Sequence, residues 1–192
     1  MLFFSDFSII FRLVFVRLGK LWYNFLSFMK ETGGYKVADS RNGYKERDLK
    51  VLRWTVKSLP FLYMGFIWYL SDRPADAVVN FPVYDGFIKE SLHLVEFAIL
   101  YGLFVLFFVV DGKLTKKTNV VAAIIASLYG FVDEVHQYFV PNRSATVIDL
   151  VKDVLGVTIA YWIVYRSYFV KKNKVGEWLD SMGKLFQKEN SA

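Results

Sequence analysis

From residue 51 onward the chain alternates long apolar stretches with short polar ones. The apolar stretches cover about residues 51–70, 92–110, 120–140 and 145–165. Each approaches the ~20 residues that a helix needs to cross ~30 Å of hydrocarbon, so four transmembrane helices are expected. Pro60 marks a kink in the first, and Arg53 and Lys57 near its start are long enough to snorkel to the interface. The first thirty residues are patterned differently. Wound as a helix at ~100° per residue, they set Asp6, Arg12, Arg17, Lys20 and Asn24 against Phe3, Phe7, Val14, Leu18, Leu21 and Phe25. This division predicts an amphipathic helix lying in the membrane interface, with a span that buries its arginines as the alternative. No small-residue cleavage site follows, which argues against a signal peptide. Residues 31–53 are polar, with Gly33-Gly34 and Asn42-Gly43 as turn signals. The expected architecture is therefore all-α. It comprises an interfacial helix (1–30), a cytoplasmic linker (31–53), a polytopic four-helix membrane domain (54–166) and a charged cytoplasmic tail (167–192).

Composition strengthens this picture. The 192 residues are 55% hydrophobic and 19% aromatic, with mean hydropathy +0.31. That lies above the apolar share of about 45–50% in soluble domains. There is no cysteine, which excludes disulfides and thiolate metal sites. A net charge of +6 would suit nucleic acid in a polar chain. Here the cations fall beside the apolar stretches, where they mark cytoplasmic loops and anionic lipid contacts, so no nucleic-acid partner is expected. Lys30, Lys36, Arg41, Lys45, Arg47, Lys50 and Arg53 precede the first span; Lys113, Lys116 and Lys117 separate the second and third; Arg166, Lys171, Lys172 and Lys174 follow the fourth. The other two loops offer mainly Arg73, Lys89 and Arg143. By the positive-inside rule both termini are cytoplasmic, in agreement with an even number of spans.

The candidate chemistry gathers near the outward ends of the spans. Lys89, His93 and Glu96 enter the second span at i, i+4, i+7, on one helical face. Asp133, Glu134, His136 and Gln137 occupy the last turns of the third. Asp149, Asp153 and Gly156 open the fourth at i, i+4, i+7. At 1.5 Å per residue, Asp133 lies ~10 Å below the turn at Pro141-Asn142, and Asp153 returns to a similar depth. A charge near a helix centre costs about 2.5–3.5 kcal/mol even on a lenient insertion scale. Carboxylates on adjacent helices must then face one another, with Arg143, Lys152 or a protonated histidine as counter-charge. Taken singly the residues have plainer readings: Asp149 as a first-turn charge favouring the helix dipole, Gly156 as a packing contact.

These motifs resemble the VanZ-like family. The run DEVHQYFVPNR, residues 133–143, follows its DE-x-x-Q-x-x-x-P-x-R element. Asp149, Asp153 and Gly156 follow D-x-x-x-N-x-x-G, with Asp153 where the family usually has Asn. HLVEF, residues 93–97, follows an H-x-x-E-aromatic element. The resemblance extends over about residues 59–165 and carries to His93, Glu96, Asp133, Glu134, Gln137, Pro141, Arg143, Asp149 and Gly156; His136 falls outside the pattern. It implies a cell-envelope protein connected with glycopeptide (teicoplanin) susceptibility.

Two functional classes are open on the residues. One is catalysis on a lipid-linked or cell-wall-related substrate. There Asp133 and Glu134 would be the central acids, His93 a proton shuttle, Asp149 an orienting group and Glu96 a further carboxylate. Gln137, Arg143, Asp153 and Lys89 would bind the substrate, with Arg143 suited to a phosphate or carboxylate. The other is noncatalytic binding of an envelope component. A proton-coupled transporter is a third reading, disfavoured because the inward halves of the spans lack polar residues. A divalent cation on His93, Glu96, Asp133 and His136 is a variant of the first class, since those ligands suit zinc or manganese. No spacing commits the chain to a cofactor, and nothing in the sequence sets the oligomeric state.

Overall fold

The computed structural model describes residues 42–73, 85–141, 143 and 146–187, with backbone alone for residues 42–48 and 85–92. The chain divides near Asn42 into two compact units, Met1–Asn42 and Gly43–Ala192. The expected interfacial helix, residues 1–30, lies outside the described residues.

Among the described residues the fold is all-helical. In chain order the helices are α1 (Asn42–Ser71), α2 (Asp85–Val110), α3 (Lys116–Tyr138), α4 (Val147–Val164), a π-helical segment (Tyr165–Val170) and α5 (Lys174–Gln187). The four apolar stretches map onto α1 to α4. Two of them contain a segment long and apolar enough to cross a membrane unaided, His93–Val110 and Lys116–Tyr138. The others carry charge: Lys50, Arg53 and Lys57 on α1, and Asp149, Lys152 and Asp153 on α4.

Helix ends follow local chemistry. Thr115 caps α3 in a capping box with Thr118, satisfying backbone donors that a helix start leaves open. Thr146 caps α4 by accepting from Asp149 N at 3.1 Å. Between α2 and α3 the chain turns at Gly112, whose φ of 65° suits glycine.

α2 is the central element, packing most extensively on α4 and also on α3 and α5. Phe97, Leu100, Tyr101, Val105 and Val109 of α2 are buried, as are Ala122 and Ala126 of α3 and Val157 of α4. The closest approach is at Gly156, where a Cβ would collide with the Leu94 carbonyl. α1 meets its neighbours through side chains. Phe61 lies edge-on to Phe104, Tyr129 donates to Met64 O at 2.6 Å, and Lys57 pairs with Asp111 at 2.8 Å.

Two segments are more helical than their polar composition suggests. The stretch read as linker up to residue 53, with a turn at Asn42-Gly43, is helical from Asn42. Lys, Glu, Arg and Leu dominate residues 45–53, and their helix propensity outweighs one glycine. The charged tail is an amphipathic helix as well: Leu179, Met182 and Phe186 of α5, at i, i+3, i+7, are buried. Asn173 starts that helix by accepting from Val175 N and Gly176 N, and Gly176 admits the Ser167 carbonyl. Arg53 donates to Phe186 O, tying the start of α1 to the end of α5.

Candidate functional site

Burial is inverted relative to a soluble protein. Asp133, Glu134 and Asp153 are 1%, 7% and 0% exposed, while Leu128, Phe131 and Val151 on the same helices are more than half exposed. Apolar side chains point outward, and carboxylates point into the bundle, as expected where the surroundings are hydrocarbon.

Three helices converge to make this cluster. The Gly156–Leu94 contact draws α4 onto α2, and one turn earlier on α4 Asp153 comes to His93, with Oδ1 3.4 Å from Nδ1. Gly130 of α3 leaves room for Asp153, since a Cβ there would stand 3.2 Å from Asp153 Cβ. One turn on, α3 contributes Asp133 and Glu134. His93, Asp133 and Glu134 each offer a donor atom within 4.8 Å of the others. Glu96, one turn along α2 from His93, lies within electrostatic reach of His93, Asp133, Asp153 and Arg143.

Around this centre some groups are fully engaged. Gln137 Nε2 donates to Asp133 Oδ2 at 2.6 Å and to Ser71 Oγ at 3.3 Å. Glu134 Oε2 accepts from Thr146 N at 3.2 Å, closing the α3–α4 turn. Inside, the picture changes. Asp133 Oδ1, Glu134 Oε1, both oxygens of Asp153 and His93 Nδ1 are buried and have no hydrogen-bond partner among the described residues. Buried charged groups are normally paired, so these atoms concentrate unmet hydrogen-bonding capacity at one place among the described residues.

The remaining expected site residues take other places. Asp149 is a first-turn group of α4, accepting from Thr146 Oγ1 at 2.6 Å and from Lys152 Nζ at 3.1 Å. Arg143 is a clamp. Its Nη2 and Nε donate to Leu70 O and Arg73 O at 2.7 and 2.9 Å, and its Nη1 reaches Gln137 Oε1 at 3.5 Å. It thereby satisfies carbonyls at the end of α1 and holds Gln137 in turn. His136 leaves the cluster altogether. It stacks on Trp68 with centroids 3.8 Å apart, its Nε2 3.7 Å from Asp72. Of the expected cation ligands His93, Glu96, Asp133 and His136, the grouping within 4.8 Å keeps His93 and Asp133, adds Glu134 and includes neither Glu96 nor His136. Lys89 lies on α2, but its side chain is outside the described set.

Ser71 and Thr146 belong to the site without having been anticipated. Both sit at helix ends, where a hydroxyl reads as a cap or turn residue, and neither falls in a charged motif. Beside the cluster, an open apolar groove of about 600 Å³ runs between α3 and α4, lined by Val120, Ile124, Phe131, Leu150, Val154 and Tyr161 among others. From Val120 to Phe131 it descends α3 for about 16 Å. The carboxylates do not line it; Glu134 stands one turn beyond its Phe131 end.

A comparison with curated proteins and one with solved structures each gave no match. The model of the VanZ/LLP1 family does match, and its reach is wider than the motifs alone suggest. It starts far ahead of residue 59, inside the expected interfacial helix, and takes in the expected linker. The match, over residues 12–170, covers most of the chain and every residue of the cluster, which makes this protein a member of the VanZ/LLP1 family.

Proposed function

We propose that the protein is a four-span cell-envelope protein whose outward-facing polar cluster binds or modifies a lipid-linked or cell-wall-related substrate. In this reading α1 to α4 cross the bilayer, both termini are cytoplasmic, and the Asp133–Glu134 end of α3 faces outward. The topology rests on the distribution of Lys and Arg. The observation that carries the functional reading is that Asp133 Oδ1, Glu134 Oε1 and Asp153 Oδ2 are buried with no hydrogen-bond partner among the described residues. A network serving only to lock helices together would pair those oxygens, as Gln137 pairs Asp133 Oδ2. The apolar groove beside Glu134 supports a substrate with a hydrocarbon tail, its polar end reaching the cluster and its chain lying along α3 and α4. Asp133 and Glu134 are the central acids, with His93 and Glu96 beside them. A role in glycopeptide susceptibility accords with the family and would follow from action on such a substrate.

Native mass spectrometry of the full chain, released from nanodiscs prepared directly from host membranes, tests this. Wild type is expected to carry a discrete lipid-linked adduct that Asp133→Asn/Glu134→Gln loses while remaining folded. A wild type free of any specific adduct, with stability unchanged by the double substitution, would count against the reading. A double variant that cannot fold would favour a structural network.

A further inference from the structure

The open atoms of the cluster belong to particular donor types. Two carboxylates and one imidazole, from two different helices, bring a donor atom each to within 4.8 Å of one another. Ligands about 2.0–2.2 Å from one shared ion stand roughly 3–4.4 Å apart, so small side-chain rotations would complete the contact. The two carboxylates are at least nine-tenths buried, and Asp133 Oδ1 and Glu134 Oε1 have no hydrogen-bond partner among the described residues. Behind them Asp153, fully buried, places Oδ1 3.4 Å from His93 Nδ1. A carboxylate behind an imidazole is the usual arrangement for fixing the ring of a metal-bound histidine.

Among the described residues, two neighbouring cations direct their donors to other groups. Lys152 pairs with Asp149, and Arg143 directs donors from all three of its nitrogens to Leu70, Arg73 and Gln137. We infer that His93, Asp133 and Glu134 bind one divalent transition-metal cation of the zinc or manganese class, with Asp153 fixing the imidazole from behind. The imidazole separates this set from the all-oxygen sites that suit magnesium and calcium. Three protein ligands leave coordination positions open. A phosphate oxygen of the substrate could fill one, which would reconcile an anionic head group with a cluster of carboxylates. The inference rests on the cluster being a functional site, and it deepens the proposed function by naming what the acids hold.

The test uses the full chain in nanodiscs of neutral phosphatidylcholine, stripped with chelator, dialysed and titrated with manganese(II). Wild type is expected to bind one equivalent saturably and to show ¹⁴N coupling from an imidazole by pulsed electron paramagnetic resonance. His93→Gln should lose the ¹⁴N coupling. Asp133→Asn and Glu134→Gln should each weaken binding by at least tenfold, and Asp153→Asn by about 10–100-fold. His136→Gln, on the other histidine, should change neither readout. If the ligand variants do not fold, the wild-type stoichiometry and its ¹⁴N coupling still decide the matter. Absence of saturable binding by folded wild type, or coupling lost with His136 instead of His93, would overturn the inference. A metal-free chain that still carries a lipid adduct would overturn it too and leave the proposed function standing. A metal-loaded chain with no adduct would support it and count against lipid binding.

Discussion

Gln137 shows what a single neutral side chain does among charges. Its amide donates to Asp133 and Ser71, and its carbonyl oxygen meets Arg143, so α1, α3 and the α3–α4 turn share one residue. Gln137→Leu keeps the bulk and removes all three contacts. It should destabilise the protein by about 1–3 kcal/mol, because Asp133 Oδ2 is left buried without a donor. Thermal unfolding in detergent, compared with wild type, measures this; an unchanged midpoint would mean the contacts carry no net energy. Arg143→Lys tests the neighbouring link. An ammonium cannot span Leu70 O, Arg73 O and Gln137 together, so the lysine should behave more like an alanine than like the arginine in the same assay. At this scale the acids and His93 were legible because a charge in an apolar helix is conspicuous. His136 was not, because it shares a helical turn with Asp133 and only the neighbouring Trp68 decides where its ring goes. Arg143 was legible as a charge near the acids, but its bonds to Leu70 O and Arg73 O were not, since backbone carbonyls leave no trace in a sequence.

Among the helices, the α2–α4 contact depends on one missing side chain. Gly156→Ala would drive a methyl into the Leu94 carbonyl, and backbone cannot yield as a flexible side chain does. A loss of about 1–3 kcal/mol or more is expected, as for overpacked cores, together with displacement of Asp153 from His93. The same residue in any scan of α4 should therefore be the least tolerant position that carries no charge. α5 supports the opposite end. Phe186 is fully buried and its carbonyl takes the Arg53 donor. Phe186→Ala should cost about 3–5 kcal/mol if that end packs as a core does, and a protease-protection assay would show α5 released first. Hydropathy alone made α2 and α3 visible, because each is apolar over a full membrane depth. α5 was hidden by its overall polarity: its apolar residues recur at helical spacing, but Lys, Glu and Asp between them give the appearance of a solvated tail. The early start of α1 was hidden by the same effect, in a run of charges that favours a helix as readily as a linker.

For the molecule as a whole, the lack of cysteine makes topology directly measurable. Single cysteines can be introduced without first removing any. With a membrane-impermeant maleimide on intact cells, Phe139→Cys should label from outside, whereas Lys113→Cys and Lys172→Cys should label only after permeabilisation. Labelling of Lys113→Cys in intact cells would reverse the proposed orientation. The long helices α1 to α4 were legible because each apolar stretch has about the length of a bilayer crossing; what their carboxylate-bearing ends assemble was legible only as a list of charges, because a helical sequence does not say which helix stands beside which. The buried acceptors of Asp153 have a last consequence. A buried carboxylate oxygen without a donor costs stability, so on the proposed function Asp153 is expected to trade durability for activity. In chelator, Asp153→Asn should melt several degrees above wild type, while the stabilisation that metal confers on wild type should largely disappear. A collection of variants selected only for heat resistance would then drift toward neutral residues at 133, 134 and 153, and would give up the site as it hardened.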